Sequence, residues 1–288
     1  MVALVTPMLE DESIDYSALE DLIEFHIKSK TDAIVAVGTT GESATLDYDE
    51  HCAVIEFVVN KVAGRIPVIA GTGANSTREA IELTKCAKEA GADACLLVTP
   101  YYNKPTQEGL YLHYKKVAES VDIPQILYNV PGRTAVDLLP ETVIRLAAIP
   151  NIIGIKEATG DISRVTTIQS AVGGEFDLYT GDDGTAIDFI LAGGHGGISV
   201  TANIKPQQVH DAYMAALEGD EATARELDKS MTALHNDLFV EANPIPVKWA
   251  LYKIGMMSSV IRLPPTVLSE AAQPKVVKAL AEADIVVE

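Results

Sequence analysis

The chain of 288 residues carries 22 Lys plus Arg against 41 Asp plus Glu, a formal charge of −19, with 48% apolar and 22% charged residues. Such acidity argues against nucleic acid or an anionic membrane surface as partner, because both select a basic face. The apolar share excludes a disordered or collagen-like chain and predicts a substantial core.

Cys52, Cys86 and Cys95 form no CxxC pair and cannot all be bridged, which suggests reduced thiols and a cytoplasmic setting. No apolar run approaches the ~18 residues of a membrane span, and the first residues lack the basic region of a signal peptide, so a soluble, unexported chain is expected. Residues 1–219 carry −16 of the net charge and residues 220–288 only −3, a first hint of two regions.

In chain order, apolar runs at 2–6, 33–37, 67–70, 94–98, 124–128, 152–156, 176–180 and 196–200 predict eight strands buried on both faces. Between them lie segments of helical period, such as Leu19, Leu22, Ile23 and Ile27. A strand, helix, strand repeat of this kind implies parallel strands joined by crossover helices. Asp47 with Glu50 predicts a capping box, and Pro206 opens an eighth helix over 206–217 that Gly219 ends. Helical patterns then follow at 222–239, 247–254 and 275–283, broken by Asn243, Pro244, Pro246, Pro264 and Pro265.

The expected fold is therefore α/β, a (β/α)8 TIM barrel at 1–219 carrying the chemistry, with a small C-terminal α-helical domain at 220–288. An open doubly wound sheet is the alternative. The first strand would open at residue 2, leaving almost nothing before it to plug the barrel floor.

In such a barrel the reactive groups sit at the C-terminal ends of the strands. Lys156 is the one lysine of 15 that closes an apolar strand, Ile152-Ile153-Gly154-Ile155. A desolvated lysine there loses its proton more readily and becomes a nucleophile for a ketone, although a lysine snorkelling to Glu157 would fit the position equally. Arg133, alone of seven arginines at a strand's C-terminal end, suits bidentate capture of a carboxylate, or else ties down a loop. Thr39 and Thr40, between glycines at a strand-to-helix turn, offer hydroxyls and N–H groups as a carboxylate cradle or as caps. Tyr101, Tyr102 and Tyr128 fall at strand ends, where a phenol facing a polar cavity relays protons; for Tyr101 packing is the better reading.

The six histidines show no HxH or HExxH spacing and the cysteines add no ligand pattern, so no metal is expected. Gly71-Thr72-Gly73 lacks the third glycine of a dinucleotide fingerprint, and Gly181-Asp182-Asp183-Gly184 would repel a phosphate.

The segments Val37-Gly38-Thr39-Thr40-Gly41-Glu42-Ser43, Val98-Thr99-Pro100-Tyr101-Tyr102-Asn103, Tyr128-Asn129-Val130-Pro131-Gly132-Arg133-Thr134 and Gly154-Ile155-Lys156-Glu157-Ala158 closely resemble those of the dihydrodipicolinate synthase family. So does Asn243-Pro244-Ile245-Pro246-Val247-Lys248-Trp249, and the likeness spans essentially the whole chain. It implies a lyase of the class I aldolase type in diaminopimelate and lysine biosynthesis, condensing pyruvate with L-aspartate 4-semialdehyde. No cofactor is implied beyond a covalent imine through Lys156.

By the same resemblance Tyr128 would be the central proton donor and acceptor, linked through Thr39 to Tyr102 of a neighbouring subunit. Thr40 would hold the pyruvate carboxylate and Arg133 that of the semialdehyde, with Gly181 and Ile198 bordering the site. The family is typically a homotetramer, a dimer of dimers. Many members are inhibited by lysine, and the matching positions are Ser43, Ala44, Tyr48, His51, Asn75, Glu79 and Tyr101. Position 48 departs from the histidine of some inhibited members. The alternatives are a related imine-forming enzyme, such as N-acetylneuraminate lyase or a 2-keto-3-deoxy acid aldolase, and a catalytically silent anion-binding barrel.

Overall fold

The computed structural model describes residues 1–287. Their strands are β1 (Val2–Ala3), β2 (Ile34–Ala36), β3 (Val68–Gly71), β4 (Ala94–Val98), β5 (Gln125–Asn129), β6 (Ile152–Glu157), β7 (Asp177–Thr180) and β8 (Gly196–Gly197). All pair in parallel with their sequence neighbours, in the order β1 to β8. A parallel bridge between Val2 and Ser199 returns the chain after β8 to β1, so the sheet curls back on itself as a barrel.

The crossovers carry α1 (Tyr16–Lys28), α2 (Tyr48–Val62), α3 (Thr77–Glu89), α4 (Gln107–Ser120), α5 (Pro131–Thr134), α6 (Pro140–Leu146), α7 (Ser163–Val172), α8 (Ala186–Leu191) and α9 (Pro206–Leu217). Each long helix is amphipathic, α1 for instance burying Leu19, Leu22, Ile23 and His26 at helical spacing. The expected capping box is present: Asp47 Oδ1 accepts from Glu50 N at 2.8 Å, and Glu50 accepts from Asp47 N. Pro206 opens α9 and Gly219 follows it with φ +80°, a backbone conformation that glycine adopts freely.

Beyond α9 come α10 (Glu221–Lys229), α11 (Thr232–Asp237), α12 (Ile245–Lys253) and α13 (Gln273–Glu282). The single helix expected over 222–239 is interrupted where Ser230 Oγ donates to the Leu227 carbonyl and Met231 is buried. Apolar side chains divide into two layers. An inner one fills the barrel with Ala3, Val35, Ile69, Leu96, Ile126, Tyr128 and Ile198. An outer one packs helices on the sheet and continues without a break into Leu234, Leu238, Trp249, Leu251 and Val276 of the last helices.

The cysteines depart from expectation. Cys52 on α2 and Cys86 on α3 are joined by a disulfide, while Cys95 is free and buried. A sequence separation of 34 conceals the pairing in the sequence; adjacent crossover helices bring their Cα atoms to 6.1 Å, within disulfide reach.

Candidate active site

A cavity of about 190 Å³ opens at the C-terminal ends of the strands. Its wall includes Gly38, Thr39 and Thr40 after β2, Tyr128 of β5, Val130 and Arg133 beyond it, Lys156 of β6 and Gly181 after β7. Phe239 and Asn243, from the segment between α11 and α12, complete it.

Lys156 and Tyr128 are register partners on adjacent strands, so alternation turns both side chains into the barrel. The ammonium nitrogen lies 4.4 Å from the centre of the Tyr128 ring, and the lysine is only 5% exposed. Burial lowers its pKa to about 8; the negative charge of Asp183 opposes this shift and the positive charge of Arg133 adds to it. A Cβ on Gly181 would stand 2.6 Å from Lys156 Cε, so the glycine makes the space the lysine occupies. Burial also raises the Tyr128 pKa, against the influence of Arg133 and of a hydrogen bond with Thr39. The phenol thus stays protonated near neutral pH, with a hydroxyl partner already in contact.

The turn that presents Thr39 and Thr40 is strained. Val37 has φ +53°, an outlier for a β-branched residue that costs about 1–3 kcal/mol. Its neighbour Gly71 permits the conformation, because a Cβ there would lie 2.3 Å from the Val37 carbonyl oxygen.

Asn243 acquires a place that sequence reasoning did not assign it. Its Nδ2 donates to Thr40 Oγ1 at 2.9 Å, and its backbone carbonyl accepts from Arg133 Nη2 at 2.9 Å. Among the described residues its buried Oδ1 has no hydrogen-bond partner. The one available signal was a polar residue heading the proline-rich Asn-Pro-Ile-Pro stretch, but no strand end marked it.

Ile198 lies in the inner layer, with its N–H on the Thr180 carbonyl, rather than on the cavity wall. Tyr102 is not brought to the cavity within one chain; it is 89% exposed with φ +73°. A second cavity, of about 290 Å³, adjoins the first and shares Thr39, Val130 and Arg133 with it. Ser43, Ala44, Tyr48, His51, Glu79 and Tyr101 line it, whereas Asn75 does not, its carbonyl accepting from Asn103 Nδ2. Among the described residues no three His, Cys, Asp or Glu side chains are grouped as metal ligands would be.

A parallel barrel with a buried, easily deprotonated lysine beside a tyrosine defines a class of enzyme equipped for amine nucleophilic catalysis. Residues 1–283 match the model of the dihydrodipicolinate synthetase family, and the chain belongs to that family. A 4-hydroxy-tetrahydrodipicolinate synthase of Thioalkalivibrio sulfidiphilus is 64% identical over 285 residues, covering 99% of this chain and 97% of that relative. Among solved structures, the chloride-inhibited dihydrodipicolinate synthase of Acinetobacter baumannii complexed with pyruvate superposes with TM-score 0.97 at 56% identity, covering 99% of this chain and 98% of that one. The lysine-bound enzyme of Cyanidioschyzon merolae has TM-score 0.96 at 38% identity, covering 99% and 97%.

Proposed function

We propose that the chain is a lyase that condenses pyruvate with L-aspartate 4-semialdehyde, the activity of a 4-hydroxy-tetrahydrodipicolinate synthase in diaminopimelate and lysine biosynthesis. One observation carries the reading: the buried Lys156 amine, its pKa lowered to about 8, lies over the Tyr128 ring inside a cavity that Thr40 and Arg133 also line.

The neutral amine attacks the pyruvate ketone, and loss of water leaves an imine. The imine withdraws electrons, so a methyl proton departs and an enamine forms. The enamine carbon bonds to the aldehyde carbon, whose oxygen takes up a proton. The amino group of the adduct then attacks the imine carbon and expels the Lys156 amine, closing the six-membered ring. Tyr128 carries protons with Thr39; Thr40 binds the pyruvate carboxylate and Arg133 the acceptor's. The backbone of Gly181 borders the site. No separate cofactor enters this sequence.

Tyr102 completes the relay from a neighbouring subunit of a homotetramer built as a dimer of dimers; its 89% exposure in one chain supports this. The second cavity takes lysine as a feedback inhibitor, as its Glu79 and His51 suit an amino acid. Residues 220–287 form a helical unit that returns Phe239 and Asn243 to the site. The reading places the enzyme in the cytoplasm, and among the described residues no helix is long and apolar enough to cross a membrane.

Borohydride added with pyruvate should attach a three-carbon acid to Lys156, seen by peptide mass spectrometry, and Lys156→Ala should abolish it. The trapping rate should fall about tenfold per pH unit below 8, because only the neutral amine attacks. Labelling of any other lysine would overturn the assignment.

A further inference from the structure

One residue beyond the reacting pair, β5 and β6 carry a second register pair, Asn129 opposite Glu157. Strand alternation turns these two away from the cavity. Both are buried, at 0% and 4% exposure. Asn129 Nδ2 donates to Asp137 Oδ1 at 2.8 Å and lies 3.3 and 3.2 Å from the two Glu157 carboxylate oxygens. Its Oδ1 accepts from Leu138 N at 2.9 Å.

Arg164 on α7 reaches the same cluster. Its Nη1 and Nη2 hold Asp137 at 2.8 and 2.7 Å, and Nη1 lies 3.5 Å from Glu157 Oε2. Two carboxylates this close repel unless a cation and hydrogen-bond donors hold them together, and Arg164 with Asn129 supplies both. The contacts therefore run from the strand end bearing Lys156, through Glu157 and Asn129, to Asp137 and Leu138. These two residues close the loop that contains Arg133.

We propose that Asn129, Asp137, Glu157 and Arg164 are positioning residues that lock the Arg133 loop to the strand end bearing Lys156, setting where the acceptor meets the enamine. This rests on the function proposed above. The four touch no reacting atom; they fix the distance between two groups that do. Loosening the lock leaves imine formation intact and weakens acceptor capture, a division that a general loss of structure does not produce.

The test compares Arg164→Met and Arg164→Lys with the wild type, using borohydride trapping with pyruvate and steady-state kinetics with both substrates. Arg164→Met should trap pyruvate on Lys156 at the wild-type rate and keep KM for pyruvate within about twofold. Its KM for aspartate semialdehyde should rise about tenfold and its kcat fall about 10- to 100-fold, the scale of a small misplacement of reacting groups. Arg164→Lys, which keeps the charge but not the two-pronged bond, should recover part of the loss. Should Arg164→Met not fold, Asp137→Asn, near-isosteric at a half-buried position, should show the same division. A folded variant with both KM values raised alike, or with all constants near wild type, overturns the proposal. Absence of any adduct on wild-type Lys156 would instead defeat the reading on which it rests.

Discussion

At the scale of single residues, Lys156 owes its path into the cavity to what is missing beside it. Gly181 leaves the volume that the lysine's methylenes fill: a Cβ there would stand 2.6 Å from Lys156 Cε and 2.9 Å from Ala158 Cβ, the first free to move and the second fixed to the backbone. Gly181→Ala should therefore displace the amine and press on the segment after β6, with kcat down by about 100-fold and a lowered melting temperature. An alanine variant of full activity would show that the lysine's path is not set by that gap. Lys156, Arg133 and the Thr39-Thr40 turn were legible in the sequence because each lies at or just beyond the end of an apolar run, and a parallel barrel gathers strand ends at one mouth. Asn243 was not, because it lies in a segment without strands and comes to Thr40 across 203 residues. Tyr102 was singled out by its place after β4 as well as by resemblance, yet the single chain leaves it facing outward.

At the scale of elements, the last helices are tied to the turn after β2 by a buried ion pair. Lys248 on α12 donates to Glu42, and the two side chains are 1% and 2% exposed. Glu42 also accepts from Arg262 N, and Arg262 grips Glu50 at the start of α2. Burial lowers the Lys248 pKa, and the Glu42 carboxylate resists that shift. Removing one partner strands a charge in the interior, so Lys248→Met should lose about 3–5 kcal/mol of stability in urea unfolding. Adding Glu42→Gln should restore most of it; a double variant no better than the single would contradict the pairing. Strand positions were readable from their apolar runs, but β1 and β8 are shorter than the runs implied. After β1, Val5 N donates to the Asn203 side chain, so a loop residue takes over a bond that a neighbouring strand would make.

At the scale of the whole molecule, pH acts through buried histidines. Burial lowers His26 to about 3 and His113 to about 4, and lowers His51 as well. Each is neutral when folded but takes a proton near its ordinary 6.5 when unfolded, so acid favours unfolding. The stability they contribute is whole above pH 6.5 and is lost as pH falls towards their folded values, by about 1.4 kcal/mol per unit for each group. His235 works in the opposite sense. Burial alone would lower its pKa, but the Asp228 hydrogen bond and the charges of Asp183, Asp228 and Asp182 outweigh it and raise the value. Its contribution is full below 6.5 and fades as pH rises through the folded value. The histidines with lowered pKa dominate, so the urea midpoint should fall steadily from pH 7 to pH 5. An unchanged midpoint over that range would refute the account.

Thr39, Val130 and Arg133 face both cavities, so the two chambers are divided by a single partition of side chains. Under the function proposed above, a guest that leans on this partition from one side would move a hydroxyl and a guanidinium presented to the other, with no travelling domain and no long relay. Thermodynamics makes such a wall two-way: whatever factor the guest imposes on acceptor affinity, the acceptor must impose on the guest.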